Sequence, residues 1–489
     1  MPVLSLLILL PLLAIPVLWL SSRATTHWYI GLSATVINFS LSMLLLSGFH
    51  PGETGMQWIE QVRWLGALGS HYVLGVDGIS VLFIPLTSLL FVLRLVSLGR
   101  QPRGQIAALL LLESVLIGAF SAIDLILFFL FWELMLVPSW ILIALYGSGH
   151  QRRETATRYC VYMLAASAPL LLGFALLAGK GSLRTFHLSA LAGTPVDPTV
   201  QGAAFFLLLI GFGAKAPLFL LHSWLRPVVC QGPTGVAVVM VGLKLGVFGM
   251  MRILIPLLPH AAEQYAPLVI GLALVGVVYG SVVAYSLGDL KSVMAATTLS
   301  HVGLIVVGLF AADRQGLEGA LLQTLNLGLT AGGLMFLAAA VHHRSGSLDV
   351  SALGGLATRM PRLTGLFVFF AMASIGLPGT SGFPAELLIL LGAFQTHSVL
   401  GSLALTSVVL SAASILRFVA LAFFGRPRED SAWMPDISPR EMLVVITLAI
   451  LVIGVGLYPN AVLRVARASL IDAHRLNERQ RIVERVPHR

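Results

Sequence analysis

Long apolar stretches, cut by short clusters of glycine, proline and charge, follow one another along this 489-residue chain. A helix that crosses a bilayer needs about 20 mostly apolar residues, and Gly, Pro and charge clusters mark where such runs end. Fourteen runs qualify: 2–20, 28–48, 75–97, 104–122, 124–146, 158–179, 201–222, 233–258, 265–286, 291–311, 316–341, 362–396, 399–424 and 440–460. The first lacks a basic leader segment and an A-x-A-like site, so it reads as a retained helix rather than a cleaved signal peptide.

Two of the runs are interrupted. One carries Lys215-Ala216-Pro217; the other carries Leu377-Pro378-Gly379, with Gly382 and Pro384 following. Proline removes a backbone donor and clashes with the preceding turn. Unwound backbone at membrane depth is tolerated only inside protein or along a water-filled path. Residues 217 and 378 are 161 positions apart, which is five helix-plus-loop units of roughly 32 residues each. A single proline kink is common in spanning helices, but the matched pair points to an inverted repeat of the kind found in transporters. The expected fold is an all-α polytopic membrane protein of about 14 transmembrane helices, with two inverted five-helix repeats that each contain one broken helix. The expected division is 1–103 for helices one to three, 104–260 for the first repeat (helices four to eight) and 261–424 for the second (helices nine to thirteen). Residues 425–489 supply the last helix and a basic tail.

Composition changes the picture only by exclusion. Charged residues make up 10% of the chain and hydrophobic residues 57%, with a mean hydropathy of +0.93. An ordinary soluble domain carries about 25% charge, and a disordered chain carries more charge with fewer large apolar residues. The net charge of +9 is explained by orientation in the membrane rather than by nucleic acid. One set of alternate loops holds 14 Lys and Arg residues and the opposite set holds 4 (Arg63, Lys180, Arg184 and Arg314). The richer set faces the cytoplasm, and both termini then lie outside. The tail from Arg464 to Arg489 carries seven arginines against that rule; a terminal segment is a weak topological signal, and an amphipathic surface helix is the other reading. Cys160 and Cys230 are too few for a cysteine-ligated iron–sulfur cluster and have no metal-site spacing. No Walker A loop or strand-to-helix GxGxxG occurs, so neither a cofactor nor a metal is expected in the chain.

Ionisable side chains inside spanning segments cost roughly 2.5–3.5 kcal/mol on insertion scales and usually mark an ion or proton route. Glu133 lies inside Phe128–Pro138 with no neutralising neighbour in sequence. Glu113, one helix earlier, is either a donor to Glu133 or a helix-packing hydrogen bond. Asp124 opens its helix and reads as a dipole partner. Lys215 flanks the first break, and a buried lysine beside a carboxylate is a two-state proton switch. His222, seven residues on, is a candidate relay, with a satisfied interfacial histidine as the alternative. Lys244 is flanked by Gly242, Gly246 and Gly249, which leave room for water or for close helix packing. His301 lies about ten residues into its helix and titrates near neutral pH. Asp289 and Lys291 read as a surface pair. Glu386 follows the second break and suits a terminal proton site. In chain order this is carboxylate, lysine, lysine, histidine, carboxylate: a lateral polar axis through the bilayer.

At these residues the chain resembles the antiporter-like M subunit (chain 4) family of NADH:quinone oxidoreductase, respiratory complex I. The likeness runs over approximately residues 70–460. Its carriers are Gly75–Ser80, Phe131–Pro138, Ala214–Phe219 with His222–Leu225, Leu243–Gly246, Asp289–Lys291 with Leu299–Gly303, and Gly376–Glu386. The resemblance implies a bacterial inner-membrane subunit that moves protons through Glu133, Lys215, Lys244, His301 and Glu386. Quinone reduction elsewhere would drive it, with FMN, iron–sulfur clusters, NADH and quinone held by other subunits. L- and N-type neighbours and the lipid bilayer are the implied partners. Glu386 favours M, since the L and N sisters carry lysine in the second broken helix. The rivals are an ion-translocating subunit of a multi-subunit Na+/H+ antiporter or membrane-bound hydrogenase, and a non-pumping scaffold. Two segments depart from the family pattern. After Trp224-Leu225 the family reads Pro-Asp-Ala-His where this chain reads Arg226-Pro227-Val228-Val229-Cys230-Gln231. That removes two polar groups at the link between helices seven and eight and leaves Gln231 or water to serve there. The run Cys160–Leu164 also differs from the usual aromatic one.

Overall fold

A computed structural model describes residues 2–66, 69–99, 101–180, 185–192, 196–233, 242–311, 313–426 and 434–471. The arginine-rich tail beyond 471, Arg184 and the start of the expected helix 233–258 lie outside these residues.

Ten of the expected runs are helices long and apolar enough to cross a membrane. They are α2 (Ala24–Ser47), α3 (Ser80–Leu98), α4 (Arg103–Ser121), the pair α5 (Leu125–Leu134) and α6 (Leu136–Tyr146), α7 (Arg152–Lys180), α14 (Ala266–Ser286), α15 (Leu290–Phe310), α16 (Arg314–Ser345), α20 (Ser398–Phe423) and α21 (Pro439–Leu457). The remaining runs are shorter helices: α1 (Val3–Trp19), α9 (Pro198–Lys215), the stretch 245–257, and α18 (Pro361–Ser374) followed by α19 (Gly382–Thr396). Among the short connecting helices are α8 (Leu188–Ala192), α10 (Leu225–Gln231), α13 (Pro259–Gln264) and α17 (Leu356–Arg359).

The all-α expectation misses one element. Strands β1 (Gln57–Arg63) and β2 (His71–Val76) pair antiparallel between α2 and α3. Glu60 on β1 reaches back to the start of α1 and accepts from the N–H groups of Leu4 (2.7 Å) and Ser5 (2.9 Å). Those donors have no partner within the helix, so the hairpin caps the first span.

The exterior is apolar, and polar side chains are gathered inside an otherwise apolar core. Leu13, Val161, Val409 and Ile450 are each more than 60% exposed, whereas α15 is buried along its whole spanning window and α16 carries buried Gln323, Thr324, Asn326 and Thr330. Water would not tolerate such an exterior; lipid does.

Both expected breaks are present. At the first, α9 ends on Lys215, the N–H of Leu218 donates back to the Gly213 carbonyl (2.8 Å), and the Trp224 indole donates to the Ala214 carbonyl (2.8 Å). At the second, Gly376 adopts φ +74°, with Leu377 N–H bonded to Met372 O (3.1 Å) and Gly376 N–H to Ala373 O (3.4 Å). That is the glycine closure of a helix C-terminus. A third break was not expected. The run 233–258 is not one helix: Leu243 and Lys244 are non-helical, α11 (Leu245–Gly249) starts after them, and a π-turn over Met250–Leu254 leads into α12 (Ile255–Leu257). Part of the cause is backbone crowding, since a Cβ on Gly246 would strike the backbone of Phe212 and Ala216 at the end of α9. The glycines around Lys244 therefore serve close packing.

Candidate functional site: a buried polar chain

Lys215 is delivered to the interior because α9 stops there. Its Nζ donates to the Trp132 carbonyl (2.8 Å) and stands 4.0 Å from the centre of the Trp132 indole. Trp132 lies in the last turn of α5, before the interruption at Met135, where carbonyls have no partner further along the helix. Trp132 is fixed in turn by a bond to Ser167 (3.1 Å) and by ring contact with Phe128 and Phe212. Next to it, both Glu133 carboxyl oxygens are buried with no hydrogen-bond partner among the described residues, and this carboxylate acts on Lys215 through space. The lysine is thus held on a neutral carbonyl beside a bare acid.

Glu113 on α4 is buried. It accepts from Asn38 Nδ2 on α2 (2.9 Å), while its other oxygen has no partner. Asp124 behaves as expected of a helix-start residue: it accepts from the N–H groups of Ile126 (3.0 Å) and Leu127 (3.1 Å), and from Ser70 and His71. His222 stacks on Phe219 (5.8 Å between ring centres) and meets Tyr279 edge-on (5.4 Å), with Nδ1 unpartnered among the described residues.

Lys244 is buried at the head of α11, and its charge acts on His301. From His301 the chain continues through a residue that the sequence reading did not select. Gln323 Nε2 lies 3.3 Å from His301 Nδ1 and donates to Glu386 Oε1 (3.2 Å). His301 and Glu386 are themselves 3.8 Å apart. Asn326 donates to Gln323 Oε1 (3.0 Å) and accepts from Ser381 at the second break (2.6 Å). A Cβ on Gly376 would come within 2.7 Å of Glu386 Oε2, so the unwound glycine makes the space that the acid fills. A cavity of about 20 Å³ lined by Thr297, Thr298, His301 and Thr330 adjoins this network and has room for one water. Gln323 and Asn326 were legible by the rule that exposed Glu133: polar side chains inside a long apolar helix. They were missed because they do not ionise.

One sequence reading is corrected. Asp289 and Lys291 are not a surface pair. The Asp289 carboxylate caps α15 through Ser292 N–H (2.8 Å), while Lys291 is buried and donates to the carbonyls of Gly232 (3.2 Å) and Cys230 (3.4 Å). The physical reason is the segment after Leu225. It folds onto the start of α15, with Arg226 Nε bonded to Ser292 (3.2 Å) and Cys230 Sγ beside the same hydroxyl (3.2 Å). Gln231 turns away toward Gly149, and its Oε1 is unpartnered. Another ion pair has a structural role: Asp77 caps α3 through Ile79 and Ser80 N–H and pairs with Arg252 in the π-turn.

Comparison with known proteins agrees with this architecture. The family described as "NADH:quinone oxidoreductase/Mrp antiporter, TM" matches residues 122–411. NADH-quinone oxidoreductase subunit M of Rhodobacter capsulatus is 35% identical over 483 residues, covering 94% of each chain. The Pseudomonas aeruginosa subunit M is 33% identical, covering 95% of this chain and 96% of its own. Among solved structures, a chain of respiratory complex I from Thermus thermophilus superposes with a TM-score of 0.88 at 30% identity, over 98% of this chain and 99% of that one. A chain of the Mrp complex from Dietzia shares the fold, with a TM-score of 0.87 at 21% identity. The chain belongs to the subunit M (chain 4) family of NADH-quinone oxidoreductase, a family of antiporter-like multi-pass membrane proteins.

Proposed function

We propose that the chain is a proton-translocating membrane-arm subunit of NADH:quinone oxidoreductase. In this reading it has fourteen spans in two inverted five-helix repeats, 104–260 and 261–424, flanked by 1–103 and 425–489. It sits in a bacterial inner membrane beside L- and N-type neighbours with both termini outside. The redox groups (FMN, iron–sulfur clusters, NADH and quinone) belong to other subunits.

The observation that carries the proposal is the Lys215 ammonium held on a backbone carbonyl beside the unpartnered Glu133 carboxylate. A scaffold has no use for a buried acid without a donor, because such a group costs stability. Two charges about 4 Å apart interact by about 4 kcal/mol at a surface-like dielectric of about 20. Moving one charge against about 150 mV costs about 3.5 kcal/mol. Shifting Glu133 toward or away from Lys215 is therefore enough to load or release a proton against the membrane potential. A released proton passes by Lys244 to His301, through the Gln323 region to Glu386, and leaves at the second break. Quinone reduction elsewhere supplies the movement.

The test is Lys215→Met in the intact complex, reconstituted in sealed vesicles. NADH-driven internal acidification is expected to be lost while the assembled complex keeps its subunits. Wild-type acidification per NADH oxidised in that variant contradicts the proposal.

A further inference from the structure

Where α3, α4, α6, α15, α16 and α21 meet, on the side of the arginine-rich loops, lies a cavity of about 660 Å³. That is within the range of small-molecule sites, about 300–1,000 Å³. It takes no part in the proton chain, and among the described residues its charge is unbalanced. Arg94, Lys291 and Arg440 line it, with His342 and His343 at the rim. The carboxylate lining it, Glu441, is already taken: Arg344 grips it at 2.9 and 2.6 Å, and Ser438 donates to it (2.7 Å). Asp289 acts on Lys291 through space, but it does not line the cavity and is engaged with Ser292.

Arg94 is the informative residue. It is 6% exposed, and its Nε has no hydrogen-bond partner among the described residues. A guanidinium effectively never loses its proton, and a buried, uncompensated charge is strongly unfavourable. Lys291, 7% exposed, is in electrostatic contact with Arg94 and spends two of its donors on the Cys230 and Gly232 carbonyls. An ammonium has three donors, so one is left over. The Gln101 and Gln105 side chains border the same space, and Phe336, Ala339 and Ala340 form an apolar wall.

We propose that this cavity binds a phosphate-bearing anion, with Arg94 at its base and Lys291 and Arg440 beside it. A guanidinium fork matches phosphate oxygens in geometry and charge. The phosphate is carried either by the headgroup of an anionic phospholipid, whose glycerol then lies on the Phe336 wall, or by free inorganic phosphate. The anion is held, not transported, and the site stands whether or not the proton route above is right.

The intact complex is purified in mild detergent with the wild-type chain, with Arg94→Met, and with Arg440→Gln. Arg153→Gln, an exposed arginine outside the cavity, is the control. Native mass spectrometry counts retained anionic phospholipid, and delipidated complex is titrated with inorganic phosphate while its melting temperature is followed. A lipid source predicts one retained anionic phospholipid fewer in Arg94→Met, affinity weakened roughly tenfold in Arg440→Gln, and no change in the control. A free-phosphate source predicts equal lipid counts, but a phosphate-induced rise in melting temperature that both cavity variants lose. Replacing a buried cation by an apolar side chain of similar length is compatible with folding, and Arg440 is exposed, so one variant remains if the other fails to assemble. If both variants match wild type in lipid retention and phosphate response, the proposal is overturned.

Discussion

Lys215 and Glu386 each sit beside a broken helix, yet their surroundings differ in kind. Around Lys215 the partners are a backbone carbonyl and an aromatic face, and the neighbouring Glu133 has no donor at all. Around Glu386 every link is a side-chain hydrogen bond: Gln323 bridges to His301, and Asn326 ties Gln323 to Ser381. The first region is under electrostatic tension and loosely held; the second is hydrogen-bonded and specified. A fully satisfied buried network is rigid, whereas an unsatisfied one is ready to rearrange. In the function proposed above, the difference places the moving step on the Glu133–Lys215 side and a conducting step on the His301–Glu386 side.

This contrast can be broken by substitution. Lys244→Met removes the charge that the proposed route passes between the two regions, and NADH-driven proton translocation in vesicles should fall by roughly tenfold or more; an unchanged rate would place Lys244 off the route. Gln323→Leu deletes the bridge and leaves Glu386, His301 and Asn326 short of partners, a cost of about 1–3 kcal/mol per unmet group. It should lower the melting temperature as well as the proton flux, and Gln323→Glu, whose ionised carboxylate has no N–H to donate to Glu386, should not restore either. Gly376→Ala adds a Cβ at φ +74° and 2.7 Å from Glu386 Oε2. Roughly 1 kcal/mol of strain is expected, with flux reduced severalfold because Glu386 must shift; the same change at Gly365, where a Cβ meets open space, should do nothing.

The smallest effect lies outside the membrane. Burial works against ionisation of Asp436, but hydrogen bonds from the N–H groups of Arg362, Ile437 and Leu363 outweigh it and hold the carboxyl below its usual range. The sign follows from that direction. Its stabilisation is fully present above the unfolded value of about 3.9 and fades as pH falls through the lower folded value. Protection of the Arg362 and Leu363 amides from exchange, corrected for the pH dependence of intrinsic exchange, should therefore be the same at pH 7 and pH 5, and Asp436→Asn should lower it modestly at both.

Much of this was readable from the chain. Glu133, Lys215 and Glu386 stood out because charge inside an apolar run is costly, and the two proline breaks located the irregular backbone. What was not readable depends on distant packing. The interruption at Lys244 coincides with the Phe212 and Ala216 backbone pressing on Gly246, which no local pattern in 233–258 reports. Lys291 looked like a surface residue because it starts a helix, and only the folding of Arg226–Gln231 over it makes it buried. Gln323 was hidden by its neutrality, although its place on α16 obeys the same rule as the acids. The strand Gln57–Arg63 is seven residues long and mostly polar, so it leaves no mark in a pattern of apolar runs of about 20 residues.

The central claim is that an unpartnered Glu133 drives Lys215 between two states. Its most direct test is proton translocation per NADH oxidised by the reconstituted complex carrying Glu133→Gln, which keeps shape and removes charge. The account predicts an assembled complex in which NADH-driven proton translocation is abolished. A wild-type proton-to-NADH ratio in that variant would contradict it.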